Sequence, residues 1–380
     1  MSDSPDFSRG AAGRGAGAVK KVDKNSESGT IPQMDNFMRQ NFTRRISTEE
    51  ALDLLSNADA PTLGERANAV KTSIHGNAGY YAVNAAITYS NICEACCPIC
   101  SFFRREGEAG AYLLSPDDVF GQAKKYSALG AEEIHTIGGI YRKLPLEYYL
   151  DVVRAVKRAD KNLNVVSYTV SECALMAEVS GKPLEFVMQK LIEAGTDALP
   201  GGGAEIFDET IRRKISPNKL SAQQWLDAMR TAHKLGLRTN ATMLYGHLES
   251  PREVVEHLDM LRRLQDETGG FKAFVPLPFR RGASPIKGKS SGIYDLKICA
   301  IARLMLDNFK HIRVPIPHFG DRLSQILLNF GADDIGGTHW HEEVAVAAGA
   351  VAQTRSPEFM RAVIEGAGLD PVKTNSNYAQ

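Results

Sequence analysis

Short apolar segments alternate with helical segments over most of this 380-residue chain, and this rhythm limits the folds that it can adopt. Each apolar segment is bounded by Gly, Pro or acidic residues, as short strands usually are. Eight segments are predicted to be strands: 80–90, 132–139, 163–172, 196–205, 237–246, 271–279, 311–319 and 333–337. Eight strands with seven helical segments between them, in about 250 residues, favour an α/β fold of the (β/α)8 barrel type. An open, doubly wound sheet is the alternative.

Helix start and stop signals fall between the predicted strands. A Ser before Pro, or a Ser three residues before Gln or Glu, is typical of a helix N-terminus, and Gly often ends a helix in the left-handed conformation. The start signals are Ser115 with Pro116, Ser221 with Gln224 and Ser250 with Glu253, and the stop signals are Gly130, Gly195 and Gly236.

The chain divides into four predicted parts. Residues 1–40 are rich in Gly, Ser and Lys and are expected to form a disordered tail. Residues 41–75 are predicted to be a helical N-terminal extension, because Ser47 and Glu50 form a capping box before an apolar helical face. The barrel is expected over 76–340, followed by C-terminal helices and a tail over 341–380.

Charge and composition limit the kinds of partner that this chain is expected to bind. Lys plus Arg and Asp plus Glu are equal at 45 each, so nothing indicates a nucleic-acid or membrane-surface partner. No apolar run approaches the roughly 20 residues of a membrane span, and the first residues lack the apolar core of a secretion signal. We therefore expect a cytoplasmic protein that acts on a small molecule.

Four of the six cysteines lie in "NICEACCPIC", residues 91–100. Only Cys173 and Cys299 lie outside this cluster, and six cysteines are too few for a disulfide framework in a chain of this length. Cys93, Cys97 and Cys100 have the spacing C-x3-C-x2-C. Three thiolates do not complete a tetrahedral zinc site, and no His stands at ligand spacing beside them. Iron–sulfur clusters use such spacings, and three sulfurs on a four-iron cube leave one iron open.

This cysteine triad, placed after the first predicted strand and followed by Gly138-Gly139 on the next, resembles the radical SAM superfamily. The resemblance implies a [4Fe-4S] cluster on Cys93, Cys97 and Cys100. It also implies that S-adenosyl-L-methionine binds the open iron and is cleaved to methionine and a 5'-deoxyadenosyl radical. Only this register matches the superfamily, so Cys96 is interpreted as a neighbouring free thiol. Ile99 stands where the superfamily has a residue against the adenine.

Longer segments resemble one branch of that superfamily, the aminofutalosine synthases of menaquinone biosynthesis. The similar segments are 198–219, 238–251, 264–279, 303–313 and 330–338. The resemblance implies that the adenosyl radical adds to the double bond of 3-[(1-carboxyvinyl)oxy]benzoate, an anionic unsaturated acceptor, to give 6-amino-6-deoxyfutalosine. The implied electron donor is reduced flavodoxin or ferredoxin. Three alternatives remain: a futalosine cyclase-like hydrogen abstraction, a specialised pathway with another acceptor, and a non-catalytic iron–sulfur protein.

The same resemblance assigns cofactor-binding residues at the predicted mouth of the barrel. Gly138 and Gly139 are expected to let backbone carbonyls approach the methionyl ammonium group, because a Cβ would block the approach. Glu172 and Glu205 are candidates for the ribose hydroxyls or the amino group of the cofactor. Gly246 and Glu249 are expected to lie along the adenine; Glu249 is equally consistent with a helix start.

For the residues expected to contact the substrate, the sequence leaves other roles open. Tyr245 and His247 are expected on the substrate side, although core packing is the alternative for Tyr245. Arg280, with its neighbour Arg281 and with Arg142, is expected to bind an acidic group of the acceptor, since guanidinium groups bind carboxylates through two hydrogen bonds.

Four departures from the synthase pattern fall near the expected pocket. They are Ala86, Tyr141-Arg142, Pro98-Ile99 and the segment 280–283, where the synthases have other residues. Retained cofactor motifs with altered pocket motifs favour a relative with a different substrate. His339 and His341 follow the last strand, but no third metal ligand accompanies them, so we expect surface histidines.

Overall fold

The computed structural model describes residues 45–351, 355–375 and 377–378, so the predicted tail 1–40 lies outside the described residues. The strands are β1 (Ala78–Ala82), β2 (Asn84–Ser90), β3 (Glu133–Gly138), β4 (Asn164–Ser167), β5 (Ala198–Leu199), β6 (Arg238–Tyr245), β7 (Phe271–Pro278), β8 (His311–Ile312), β9 (Asp334–Gly337) and β10 (Asp370–Lys373). Strands β2 to β8 pair in parallel and in chain order. This order is the wall of a (β/α)8 barrel.

Strand β9 closes the wall into a ring. Next to β8, the Val314 N–H donates to the Asp334 carbonyl at 2.7 Å, and on the other side the Ala86 N–H of β2 donates to the Trp340 carbonyl at 2.8 Å. Strand β9 also pairs with β1, which in turn pairs with β10 in a second parallel sheet. The barrel prediction is therefore confirmed.

Helices cover the outside of the barrel. They are α1 (Thr48–Asn57), α2 (Ala60–His75), α3 (Pro116–Ala128), α4 (Leu146–Ala159), α5 (Val170–Ser180), α6 (Leu184–Ala194), α7 (Glu209–Ile215), α8 (Ala222–Lys234), α9 (Pro251–Thr268), α10 (Gly292–Met305), α11 (Ile316–Phe319), α12 (Asp321–Leu327), α13 (Glu343–Ala347) and α14 (Pro357–Gly366). Each predicted start serine is an N-cap whose hydroxyl accepts a backbone N–H of the first turn. Each predicted stop glycine has a positive φ.

Four predicted strands differ from the observed ones. The segment 196–205 is a strand only at Ala198–Leu199. The segment 80–90 forms two strands in two sheets, β1 and β2. The segment 163–172 leaves the sheet after Ser167, because the Thr169 hydroxyl accepts the Glu172 N–H and starts α5. Glu172 is therefore in the first turn of a helix and not at the end of a strand. The segment 311–319 ends as a strand at Ile312 and continues into the short helix α11.

The C-terminal residues cover the amino ends of the barrel strands. The Asn377 side chain donates to Asn164, the first residue of β4, at 2.9 Å. The Tyr378 ring stacks on His311, the first residue of β8, with a centroid distance of 3.4 Å. Because the amino end is covered, a site inside the barrel is reached from the carboxyl ends of the strands.

No helix in the described ranges is long and apolar enough to cross a membrane.

Candidate active site

The four clustered cysteines lie on one loop, residues 93–103, which leaves the carboxyl end of β2. The loop closes on itself, because the Cys93 N–H donates to the Arg104 carbonyl at 3.0 Å and the Arg104 N–H donates to the Asn91 carbonyl at 2.8 Å. Within the loop, the Cys100 N–H donates to the Cys97 carbonyl at 2.9 Å. This cysteine loop is a fixed turn at the mouth of the barrel.

Three of the four sulfurs share one environment. Cys97 is buried at 3% exposure, and burial raises the pKa of its thiol to about 11 in the metal-free chain. Burial also raises the pKa of Cys93, and nearby Cys100 contributes in the same direction. Cys96 differs: it has a left-handed φ of 45°, and its thiol donates to the Cys93 carbonyl at 3.4 Å.

The spacing of the sulfurs argues against a single metal ion. Four ligands around one zinc ion lie about 3.8 Å apart when Zn–S is about 2.3 Å. Among the described residues, the one group of three or more His, Cys, Asp or Glu ligand atoms within 4.8 Å of one another is His75, His311 and Asp333, at the amino end of β8. Cys93, Cys97 and Cys100 are not such a group, so at least two of their sulfurs lie more than 4.8 Å apart.

The two glycines after β3 let the cysteine loop approach closely. A Cβ on Gly139 would lie 1.9 Å from the Ile92 carbonyl oxygen, and a Cβ on Gly138 would lie 2.4 Å from the Tyr89 ring. The next amide, Ile140 N–H, donates to the Cys93 sulfur at 3.3 Å. Gly-Gly is therefore required here by contacts within the chain, whereas its predicted approach to the cofactor stays a prediction. Ile99 is partly buried against the core.

Glu205 lies beside the cysteine sulfurs and is paired with a lysine that sequence reasoning missed. The Lys219 ammonium donates to the Glu205 carboxylate at 2.7 Å. Burial opposes ionisation of both groups, but their attraction lowers the pKa of Glu205 and raises that of Lys219. Cys97 and Cys100 also lie close enough to raise the pKa of Lys219. No spacing rule links residues 205 and 219, so only the fold reveals this cation.

Glu172 is fully buried and uses both carboxylate oxygens within the chain. One oxygen accepts the Tyr89 hydroxyl at 2.7 Å and the Gly138 N–H at 3.0 Å, and the other accepts the Thr169 N–H at 2.7 Å. Burial raises the pKa of the carboxyl group. A bond to the cofactor would have to replace one of these three, so its predicted cofactor role stays a prediction.

The turn after β6 is held by Glu249, whose carboxylate accepts the backbone N–H groups of Gly246 and His247. Gly246 has a φ of 84°, and a Cβ there would lie 2.5 Å from Ser290, so only glycine fits. The His247 Nε2 lies 3.0 Å from the Leu244 carbonyl, and the side chain is fully buried. The predicted adenine contacts of this turn stay predictions.

Tyr245 does not lie on the substrate side. Its side chain is fully buried, and its hydroxyl donates to Asp295 of α10 at 2.9 Å. Alternation along β6 turns this residue toward the helices and away from the barrel interior. The structure agrees with the alternative stated from the sequence, in which Tyr245 packs in the core.

The three arginines expected near an anionic acceptor are only partly available. Arg280 donates twice to the His318 carbonyl, at 2.7 and 3.0 Å, which fixes it on α11. Arg142 is half exposed and pairs with Glu94 and Glu178 on the rim. Arg281 donates to the Ser284 carbonyl at 3.3 Å. Of the three, Arg280 is the most enclosed, and its proposed role in binding the acceptor is untested.

The expectation of two surface histidines is wrong for His339. Its Nε2 is buried and has no hydrogen-bond partner among the described residues. Burial, and then His135 of β3, lower its pKa well below the ordinary value. His341 is 46% exposed, as expected. Both residues have a positive φ, which turns the chain back toward the barrel after β9.

Comparison with known proteins agrees with this geometry. Residues 87–261 match the profile of the radical SAM superfamily, and residues 268–380 match the CofH/MqnC C-terminal region. An aminodeoxyfutalosine synthase from Thermus thermophilus is 40% identical over 344 residues, which are 89% of this chain and 92% of the relative. The chain belongs to the radical SAM superfamily.

Three other known proteins resemble the chain along most of its length. An aminodeoxyfutalosine synthase from Streptomyces coelicolor is 33% identical and covers 88% of this chain and 90% of its own length. A 5-amino-6-(D-ribitylamino)uracil–L-tyrosine 4-hydroxyphenyl transferase from Methanococcus maripaludis is 35% identical, covering 87% and 93%. The FeFe-hydrogenase maturase HydG from Carboxydothermus hydrogenoformans has the same fold, with a TM-score of 0.70, 18% identity and coverage of 89% and 80%.

Membership of this superfamily identifies the cofactors. Radical SAM enzymes use a [4Fe-4S] cluster and S-adenosyl-L-methionine, and the chain carries the cysteine motif. The buried Cys97 and the half-buried Cys93 and Cys100, on one loop closed by backbone hydrogen bonds, fit such a cluster.

Proposed function

We propose that this enzyme joins the 5'-deoxyadenosyl group of S-adenosyl-L-methionine to an unsaturated carboxylate acceptor. The observation that supports the proposal is the cysteine loop, which presents Cys93, Cys97 and Cys100 at the mouth of the barrel and is fastened to Gly139 and Ile140 of the neighbouring strand. The 40% identity to an aminodeoxyfutalosine synthase favours adenosyl addition over the other reactions of the superfamily.

The cluster with its bound sulfonium ligand supplies a 5'-deoxyadenosyl radical after one-electron reduction. Cys93, Cys97 and Cys100 would hold the cluster as thiolates. Lys219 places a positive charge beside Cys93 and Cys97, which partly offsets the rise that burial causes in the pKa of both thiols. The loop that carries them is closed by backbone hydrogen bonds, so the sulfurs are positioned before the cofactors bind.

The overall conversion balances without net oxidation or reduction. The C5'–S bond of the sulfonium breaks and methionine leaves, while a C–C bond forms between C5' and the terminal alkene carbon of the acceptor. With an enol-ether acceptor of the synthase type, the aryl group moves from oxygen to carbon, the new ketone forms and carbon dioxide leaves. The electron that enters at the start would return to the oxidised cluster as carbon dioxide leaves, so no electron is consumed overall.

The covered amino end of the barrel supports such a reaction by limiting the access of water from that side. It is covered by Asn377 and Tyr378, and the cysteine loop lies at the opposite end. A radical that must meet its acceptor needs both a fixed distance and protection from other hydrogen donors. A low-potential flavodoxin or ferredoxin as electron donor and a cytoplasmic location belong to the same proposal.

Product analysis of the anaerobically reconstituted enzyme tests the proposal. With S-adenosyl-L-methionine, dithionite and 3-[(1-carboxyvinyl)oxy]benzoate, we expect a product in which adenosine is covalently joined to the acceptor. Free 5'-deoxyadenosine in amounts equal to consumed substrate would indicate a cyclase-type hydrogen abstraction. A product formed only with tyrosine and 5-amino-6-(D-ribitylamino)uracil would indicate the activity named for the Methanococcus relative. No cleavage with any acceptor would contradict catalysis.

A further inference from the structure

The geometry points to Arg104 as the residue that binds the carboxylate of the acceptor, in a cavity beside the cysteine loop. The inference rests on the proposed function, because it names the acceptor site of the same reaction. It also assigns a role to a residue that the sequence motifs did not identify. The cavity has a volume of about 550 Å³, and its lining includes Asn91, Phe102, Arg104, Tyr112, His339, Glu342, Glu343 and Val346. Both carboxylates of this lining are already engaged, because Glu342 accepts the N–H groups of Val344 and Ala345 and Glu343 accepts the Tyr112 hydroxyl.

Arg104 is held in place by its own loop. One terminal nitrogen, Nη1, donates to the Phe103 carbonyl at 2.8 Å and, at 3.4 Å each, to the carbonyls of Ser101 and Phe102. Its backbone closes the cysteine loop through Cys93 and Asn91. The guanidinium group is therefore positioned before any ligand arrives, and Nε and Nη2 are not engaged by these three bonds.

The charge of Arg104 is uncompensated within the described part of the chain. No carboxylate of those residues forms an ion pair with it, although the group is half-buried. The other arginine of the cavity, Arg355, pairs with Asp321 at 2.8 Å. A half-buried guanidinium without a counter-ion favours an anionic ligand, and its planar fork matches a carboxylate.

The remaining walls define the rest of the ligand. Phe102 and Tyr112 supply aromatic surface, and Tyr112 is held by a hydrogen bond from its hydroxyl to Glu343 at 2.8 Å. His339 contributes a neutral imidazole, because burial lowers its pKa, and its Nε2 has no partner among the described residues. Pockets of roughly 300–1,000 Å³ suit organic ligands of moderate size. The class that fits is an aryl carboxylate or aryl enol-ether carboxylate.

The location of the cavity agrees with the chemistry. Phe102 and Arg104 follow Cys100 by two and four residues, so a carboxylate on Arg104 lies close to the loop that holds the cluster. Radical addition requires the acceptor carbon near C5' before the radical forms. One loop would then position both the cluster and the acceptor.

Calorimetry on the reconstituted holoenzyme, without S-adenosyl-L-methionine, tests the inference. The probes are 3-[(1-carboxyvinyl)oxy]benzoate, benzoate and the dimethyl ester of the first compound. We expect the diacid to bind and the neutral diester not to bind. Arg104→Gln should weaken binding of the diacid about 10- to 100-fold, the effect of losing charge-assisted hydrogen bonds. Arg104→Lys should weaken it less, and Arg105→Gln, on the exposed next residue, should leave it unchanged.

Iron content of each variant separates loss of binding from loss of the cysteine loop. If Arg104→Gln does not hold iron, a second variant decides. Val346→Trp fills the cavity from α13; Val346 is exposed, and the lining of that cavity includes none of the cysteine ligands. It should retain iron and lose binding of the diacid.

Three results would overturn the inference: no binding of either acid by the wild-type holoenzyme, unchanged binding by iron-loaded Arg104→Gln, or unchanged binding by Val346→Trp. Formation of an adenosyl adduct is measured separately. An adduct together with unchanged binding in these variants would leave the proposed reaction standing and move the acceptor elsewhere. If the diacid binds as expected but no adduct forms, the acceptor site stands and the proposed reaction is contradicted.

Discussion

A single methyl group at Gly139 should displace the cysteine loop. A Cβ at this position would lie 1.9 Å from the Ile92 carbonyl oxygen, 2.6 Å from the Ile92 carbonyl carbon and 2.9 Å from the Cys93 Cβ. Real Cβ atoms essentially never approach other atoms within 3.0 Å, so the two backbones must separate by about 1.1 Å. Both neighbours are backbone or Cβ atoms and cannot rotate away.

Separation by that amount breaks the bonds that join the two segments. The Glu94 N–H donates to the Ile140 carbonyl at 2.7 Å, the Gly139 N–H donates to the Ser90 carbonyl at 3.1 Å, and the Ile140 N–H donates to the Cys93 sulfur at 3.3 Å. At about 1 kcal/mol for each hydrogen bond, Gly139→Ala should lose about 3 kcal/mol. Overpacking adds about 1 to 3 kcal/mol. This total is a large part of the stability of an ordinary domain, about 5–15 kcal/mol.

Urea unfolding of the metal-free protein, followed by tryptophan fluorescence, measures the change in the free energy of unfolding. Iron analysis after anaerobic reconstitution measures whether the sulfurs still assemble a cluster. Gly121→Ala is the matched control, because this glycine lies within α3 with no atom within 4 Å of an added Cβ. It should stabilise the protein by up to about 1 kcal/mol. Wild-type stability and iron content in Gly139→Ala would refute the reasoning.

Three further outcomes follow from the site. Cys97→Ala should abolish iron binding, whereas Cys96→Ala should retain it, as iron analysis and the absorbance of the reconstituted cluster will show; equal loss in both would contradict the assigned register. Glu205→Gln and Lys219→Met should each destabilise the protein, and a double-mutant cycle by urea unfolding should give a coupling of about 1–3 kcal/mol; a coupling near zero would mean that the pair is not formed. Burial lowers the pKa of His257 to about 3. The unfolded chain binds a proton at this residue near pH 6.5, whereas the folded chain does not. The free energy of unfolding should therefore fall as the pH decreases from about 6.5 toward 3, by about 1.4 kcal/mol per pH unit for this residue. In His257→Gln the fall should be smaller, and a pH profile identical to that of the wild type would contradict the assignment.

The fold could be predicted from local signals because each predicted strand is short and bounded, and several of the helices between them begin at a capping Ser, Thr or Asp. Errors occurred where a local cap competed with strand propensity. At Thr169, a hydroxyl that accepts the Glu172 N–H ends the extended segment and starts a helix. The same bond moves Glu172 from an open strand end to a buried position beneath Gly138.

Side-chain direction was less predictable, because parallel strands are buried on both faces and their sequences do not alternate clearly. A shift of one residue exchanges the inner and outer faces of a strand. Tyr245 therefore lies against α10 instead of the substrate side, and nothing in its neighbours along β6 indicated this. His339 was predicted at the surface, but it is only partly exposed and its Nε2 is buried.

The sequence by itself determined the cysteine triad, because three ligands of one cluster on a single short loop need a fixed spacing along the chain. It also determined the alternation of strands and helices, which depends on caps and turns only a few residues long. The tertiary structure alone decided which distant residues meet that loop. Lys219 reaches the sulfurs from beyond the fourth barrel strand, Gly139 supports them from the second, and the cavity beside Arg104 is completed by residues that follow the last strand. These contacts depend on the closure of the barrel, which brings the carboxyl ends of all its strands to one mouth.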